Sequence, residues 1–132
     1  MTNASFKQIR IKTDLASLVE GLGALHTADD GSSFLLTSDS GRSPITVAID
    51  GDIVRIRAGF GIRVSVGSDF ADETQSAREV VEALLRGTAE EYFDVNGDGE
   101  MDAIAWRIWY PRGERTGGVR TPEALLVPLL PW

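Results

Sequence analysis

Residues 44–67 read PITVAIDGDIVRIRAGFGIRVSVG, with an apolar residue at every second position through nearly all of the stretch. A period of two is the mark of a strand with one buried face. Asp50-Gly51 interrupts the first two runs, and this pair suits the positive φ angles of a type I′ hairpin turn. With Asp50 and Gly51 as the loop, Val47 falls opposite Val54 and Ile45 opposite Ile56, while Thr46 faces Arg55 on the other side. Both strands then put their apolar residues on one side, so the register is self-consistent. Gly59-Phe60-Gly61 turns the chain again, and Ile62, Val64 and Val66 continue the alternation. Residues 44–67 are therefore predicted to form a three-stranded antiparallel meander.

Working outward, FLLTS (34–38) reads as a short strand and FKQIRIK (6–12), with Phe6, Ile9 and Ile11, as a first one. Between them, TDLASLVEGLG (13–23) spaces Leu15, Leu18, Val19 and Leu22 as a helix, with Thr13 or Asp14 as cap and Gly21 or Gly23 as stop. HTADDGSS (26–33) has the composition of a loop. DFADETQSAREVVEALLRG (69–87) is a second helix, with Ala77, Val80, Val81, Leu84 and Leu85 in one stripe. Its start carries an Asp72/Gln75 capping box, and Gly87 supplies its end. TAEEYFDV (88–95) and MDAIAWRIWY (101–110) alternate as strands, with Ile104, Trp106, Ile108 and Tyr110 sharing a face. PRGERTGGVR (111–120) reads as a polar loop, TPEALL (121–126) as one helical turn, and VPLLPW (127–132) as an apolar tail that docks. The sum is one α+β domain over 1–132, a single antiparallel sheet of about five to seven strands with two helices packed on one face.

Composition narrows the chemistry. The chain of 132 residues has no cysteine and one histidine, which removes thiolate chemistry and any all-histidine metal site within one chain. A net charge of −7 opposes nucleic acid and anionic membrane surfaces as partners. The longest apolar runs fall far short of the about 20 residues that cross a bilayer, and the first residues lack the apolar core of a secretory signal. A cytoplasmic, non-catalytic protein with a protein partner is the expectation.

DVNGDGEMD (94–102) is the one stretch with the look of a ligand site. Counting from Asp94, positions one, three, five and nine are Asp94, Asn96, Asp98 and Asp102, Gly99 stands sixth, and Glu100 offers its carbonyl at the seventh. The spacing resembles the first nine residues of an EF-hand calcium loop. Position twelve, where a bidentate Glu belongs, is Ala105, and a strand-like run follows instead of a helix. The stretch is more similar to the strand-flanked DxNxDGxxD loops of integrin-α-type β-propeller repeats. That resemblance covers 94–104 and implies calcium as a cofactor, not a propeller. The competing reading is a hairpin turn through Asn96-Gly97-Asp98-Gly99.

Other candidates are fewer. His26 with Asp29 or Asp30 and Ser32 or Ser33 has the residue types of a hydrolytic triad, but no G-x-S-x-G elbow surrounds either serine. Adjacent Glu90 and Glu91 point to opposite faces of a strand and make a poor acid–base pair. Arg55, Arg57 and Arg63 line the face opposite the apolar set of the meander, joined by Arg10 and Lys12 if 6–12 is a neighbouring strand, as an anion or partner surface. Trp109, set against Trp106, and Trp132 in the tail are contact candidates, either within the chain or with a partner, including a second copy through the tail. By profile alone, an immunity protein against a basic toxin domain or a secretion chaperone would fit.

Overall fold

The computed structural model describes residues 3–67 and 73–132. Helix α1 spans Asn3–Val19. Five strands follow: β1 Gly23–Thr27, β2 Ser33–Ser38, β3 Ile45–Asp50, β4 Ile53–Ala58 and β5 Ile62–Val66. Helix α2 covers Glu73–Arg86, and β6 Ala89–Val95, β7 Met101–Tyr110, β8 Gly113–Gly118 and β9 Leu125–Pro128 complete the chain.

The α+β class and antiparallel pairing are present, but the strands form two sheets and not one. The first is a five-stranded meander in the order β1-β2-β3-β4-β5, and the second is four-stranded in the order β8-β7-β6-β9. Within the meander, the β3–β4 loop is Gly51-Asp52, so Val47 pairs with Ile56 and Ile49 with Val54. Each partner of the predicted register has slid by two residues. A slide of two keeps every side chain on its own face, so the apolar side is the expected one.

One core joins both sheets. The inner face of the meander contributes Phe34, Leu36, Ile45, Val47, Val54, Ile56, Val64 and Val66, all buried. Onto it packs α2, whose buried stripe of Ala77, Val80, Val81, Leu84 and Leu85 also meets Ile108 in the same cluster. Helix α2 touches β4 and β5 of one sheet and β7 of the other, while α1 lies against α2 and β1. The positive φ of Gly87 ends α2 as expected. Asp72 of the proposed capping box lies outside the described residues.

Residues 6–12 are helical, which corrects the strand expected there. Ile11, Leu15 and Val19 bury at four-residue spacing, and that row sets the conformation. Phe6 and Ile9, which suggested alternation, are 59% and 52% exposed. Thr13 is therefore no cap; its hydroxyl donates to the Ile9 carbonyl one turn back, at 2.8 Å. Arg10 and Lys12 consequently lie on α1 and join no sheet face.

Three strands occupy segments not expected to be strand: β1 takes the end of the expected helix and the start of the 26–33 loop, and two more replace the expected loop and helical turn near the C-terminus. In 111–120, β8 pairs with β7, and Trp106 lies over its partner Gly117, where any side chain would collide with the indole. The glycines admit the aromatic cover that makes this strand stable. In 121–126, a turn closes with the Ala124 N–H on the Thr121 carbonyl, and the chain then extends as edge strand β9 along β6. The tail docks on its own chain: the Leu129 N–H donates to Ala89, the Trp132 N–H to Leu85, and Arg42 reaches the Pro131 carbonyl at 3.0 Å.

Candidate functional site

Residues 94–102 form the β6–β7 hairpin. The Gly99 N–H donates to the Asn96 carbonyl, and Gly99 takes φ 81°, which makes a turn followed by a glycine bulge. The side-chain oxygen of Asn96 accepts the N–H groups of Asp98 and Glu100 at 2.9 and 3.0 Å. The atom expected to ligate calcium at the third position is thus the one that fastens the turn. Asp94 and Asp102 are directly opposed across the ladder. No group of three His, Cys, Asp or Glu gathers to hold a metal among the described residues.

His26 lies in β1, not in a loop, and its ring shares a hydrogen bond with Thr37 at 3.1 Å. Asp30 accepts the Ser32 N–H at 2.9 Å, a bond that holds its carboxyl below the ordinary value. Neither bond joins His26 to Asp29, Asp30, Ser32 or Ser33.

The predicted arginine face is open. His26, Leu35, Thr46, Arg57 and Arg63 are successive cross-strand partners on the outer side of the meander, with Ser33, Ala48, Arg55 and Ser65 in the next row. Arg55 pairs with Asp50 at 3.3 Å. Arg57 and Arg63 stand directly opposite each other, and neither has a carboxylate partner among the described residues.

Trp109 is half-buried at the mouth of a recess of about 500 Å³ that includes Glu79, Glu82, Ala83 and Tyr110. The charges around it are paired within the chain, Arg112 with Glu79 and Arg86 with Glu82. The Arg107 guanidinium sits 5.1 Å from the Trp109 ring. Trp132 packs against the core and is held by the tail contacts above. Beside Arg107, the Tyr92 hydroxyl donates to Glu90, which raises the tyrosine pKa, and Arg120 lies over the Tyr92 ring at 4.3 Å. Glu90 and Glu91 do point to opposite sides of β6.

Glu91 leads to the residue that sequence reasoning passed over. Glu91 is 3% exposed, and its carboxylate accepts the Phe60 N–H at 3.1 Å and the Gly61 N–H at 2.8 Å. The turn between β4 and β5 is thereby clamped to β6. Gly59, at φ 56°, lies so close that a Cβ would overlap the carboxylate. The clamp carries Phe60 outward: the residue is 82% exposed, and its ring meets Phe93 edge-on at 5.7 Å.

No known protein family, curated protein or solved structure matches this chain.

Around Phe60 the apolar surface is extensive. Phe93 pairs with Leu125, and beyond it Val95 pairs with Met101; Leu125, Val95 and Met101 are all exposed. Val127 and Leu130 are exposed on the other side, where they line a recess of about 240 Å³ with Phe60 itself. A phenylalanine between two glycines in an outer turn is the one local signal that could have marked the position.

Proposed function

We propose that this chain is a non-catalytic protein-interaction module whose binding face is centred on Phe60. The observation that carries the reading is the exposed ring on a turn held rigid by a buried carboxylate. A large aromatic in water is ordinarily a cost, and one fixed in place loses little further entropy on binding, so it suits a contact hot spot. The exposed side chains of β9 and the β6–β7 hairpin extend the apolar surface on both sides, as at a recognition patch. Trp109 and the arginine face stay at its periphery in this reading. No helix among the described residues is long and apolar enough to cross a membrane.

Phe60→Ser tests the reading, because the side chain is exposed and the Glu91 bonds are to backbone. Affinity capture from source cells with wild-type and variant protein, both verified folded by circular dichroism, should lose specific partners with the variant. Recovery of the same proteins in equal amounts would refute it.

A further inference from the structure

We propose that this chain pairs with a second copy of itself about a two-fold axis, Phe60 of each copy entering the apolar recess beside Phe60 of the other; this rests on the Phe60 face being a binding surface. Knob and hole stand side by side. The recess, about 240 Å³, is mainly apolar, with Ala58, Leu84, Val127, Leu129, Leu130 and Trp132 in its wall and the polar Arg42, Ser43 and Glu91 also on its lining. A closed cavity of about 150 Å³ accommodates benzene, so this recess has room for a phenyl ring. A two-fold axis in the contact plane carries each flank of one copy onto the opposite flank of the other. A projection next to a recess is therefore its own complement. The recess is preformed, since the backbone bonds from Leu129 to Ala89 and from Trp132 to Leu85 fix its tail wall.

Charge follows the same rule. On one side of Phe60, Arg57 and Arg63 lie three residues along β4 and β5 and share a second recess with Phe60, of about 230 Å³. On the other, Phe93 and Ala103 lead through Val95 and Met101 to Asp98 and Glu100. At roughly 3.3 Å per residue, the arginines lie about 10 Å from Phe60, and the acidic hairpin begins about 10 Å beyond the Phe93–Ala103 pair that Phe60 meets. A purely basic partner would meet Arg57 and Arg63 with like charge, and a purely acidic one would meet the hairpin so. A second copy, turned by the two-fold, sets the arginines of each chain against the hairpin of the other.

Sedimentation equilibrium across the micromolar range reads the result directly. Wild-type protein should dimerise. Phe60→Ser on the knob and Leu130→Glu at the mouth of the hole should each raise the dissociation constant by about 1,000-fold, because both copies carry the change and two symmetric hot-spot contacts of about 2 kcal/mol are lost. Arg57→Glu with Arg63→Glu should weaken the dimer, and adding Asp98→Lys with Glu100→Lys should restore it. A wild-type circular dichroism spectrum and cooperative melting identify variants that remain folded, since losing the dimer by itself lowers the melting temperature. A wild-type chain that stays monomeric, or a dimer indifferent to both Phe60→Ser and Leu130→Glu, overturns the proposal. If the chain is monomeric while Phe60→Ser still abolishes capture of a cellular partner, the dimer is refuted and the Phe60 face as a binding surface stands.

Discussion

Replacing Glu91 by alanine should detach the Phe60 turn from the second sheet. The wild-type carboxylate accepts two backbone N–H groups, from Phe60 at 3.1 Å and Gly61 at 2.8 Å. Bonds to a charged acceptor contribute about 1.5–3 kcal/mol each, giving an upper limit near 6 kcal/mol. The turn lies at the surface, so freed N–H groups can rehydrate, and the expected cost falls to about 2–4 kcal/mol. For a chain of this size that is a drop in Tm of about 10 °C. Glu91→Gln should cost less, about 1–2 kcal/mol, since one amide oxygen can still accept while the NH2 confronts the Phe60 donor. Urea denaturation measures the energies, and hydrogen exchange at the amides of Phe60 and Gly61 measures the clamp. A Glu91→Ala protein that loses under about 0.5 kcal/mol and keeps both amides protected would show that Glu91 does not hold the turn.

Tyr92→Phe removes the hydroxyl that donates to Glu90 and should cost about 1–2 kcal/mol at neutral pH. Glu90 raises the Tyr92 pKa above its ordinary 10.0, so this stability is whole below about pH 10 and is lost as pH rises through the folded value; urea titrations should find the gap between wild-type and variant constant to about pH 10 and closing above it. Asn96→Ala should loosen the β6–β7 hairpin by about 0.5–1.5 kcal/mol, whereas calcium and chelator should leave the wild-type Tm unchanged, because Asn96 is already committed to two backbone donors. A calcium-dependent rise in Tm would reverse that reading of 94–102. Gly117→Val pushes a side chain into the Trp106 indole and should destabilise by about 1–3 kcal/mol, read by thermal melting together with a shift of tryptophan emission.

The meander and α2 were legible because each buries one face with a strict period, and the register error slid by two residues without changing any face. Residues 6–12 were not, because Phe6 and Ile9 are apolar yet exposed, and only the row from Ile11 to Val19 reports the helix. Strands β8 and β9 hide in Gly- and Pro-containing sequence. What stabilises them is cover from Trp106 in one case and pairing to β6 in the other, both tertiary. The site was hidden for the same reason. Phe60 owes its posture to Glu91, thirty-one residues away, and no local pattern encodes a carboxylate arriving from another sheet. The acidic hairpin, conversely, was conspicuous because its turn chemistry is local and nearly coincides with that of a calcium loop.

The charge layout bears on how the Phe60 face would work. From Arg86 to Arg107 the chain has Glu90, Glu91, Asp94, Asp98, Glu100 and Asp102 with no intervening Lys or Arg. Arg57 and Arg63, meanwhile, oppose each other on an exposed face, an arrangement that costs a few tenths of a kcal/mol or more in a sheet. Exchanging charges between the two regions would relieve both, yet they remain segregated on either side of one aromatic. At physiological salt, fields decay over about 8 Å, and both flanks lie about 10 Å or more from Phe60, so neither strengthens the central contact by much. Their effect falls on encounter and orientation: they favour one of the two ways a partner can lie across the ring. Affinity should then rest mainly on Phe60 and its recess and fall only modestly with added salt, while the association rate falls more steeply. An affinity that collapses in high salt would place the binding energy in the flanks and not in the ring.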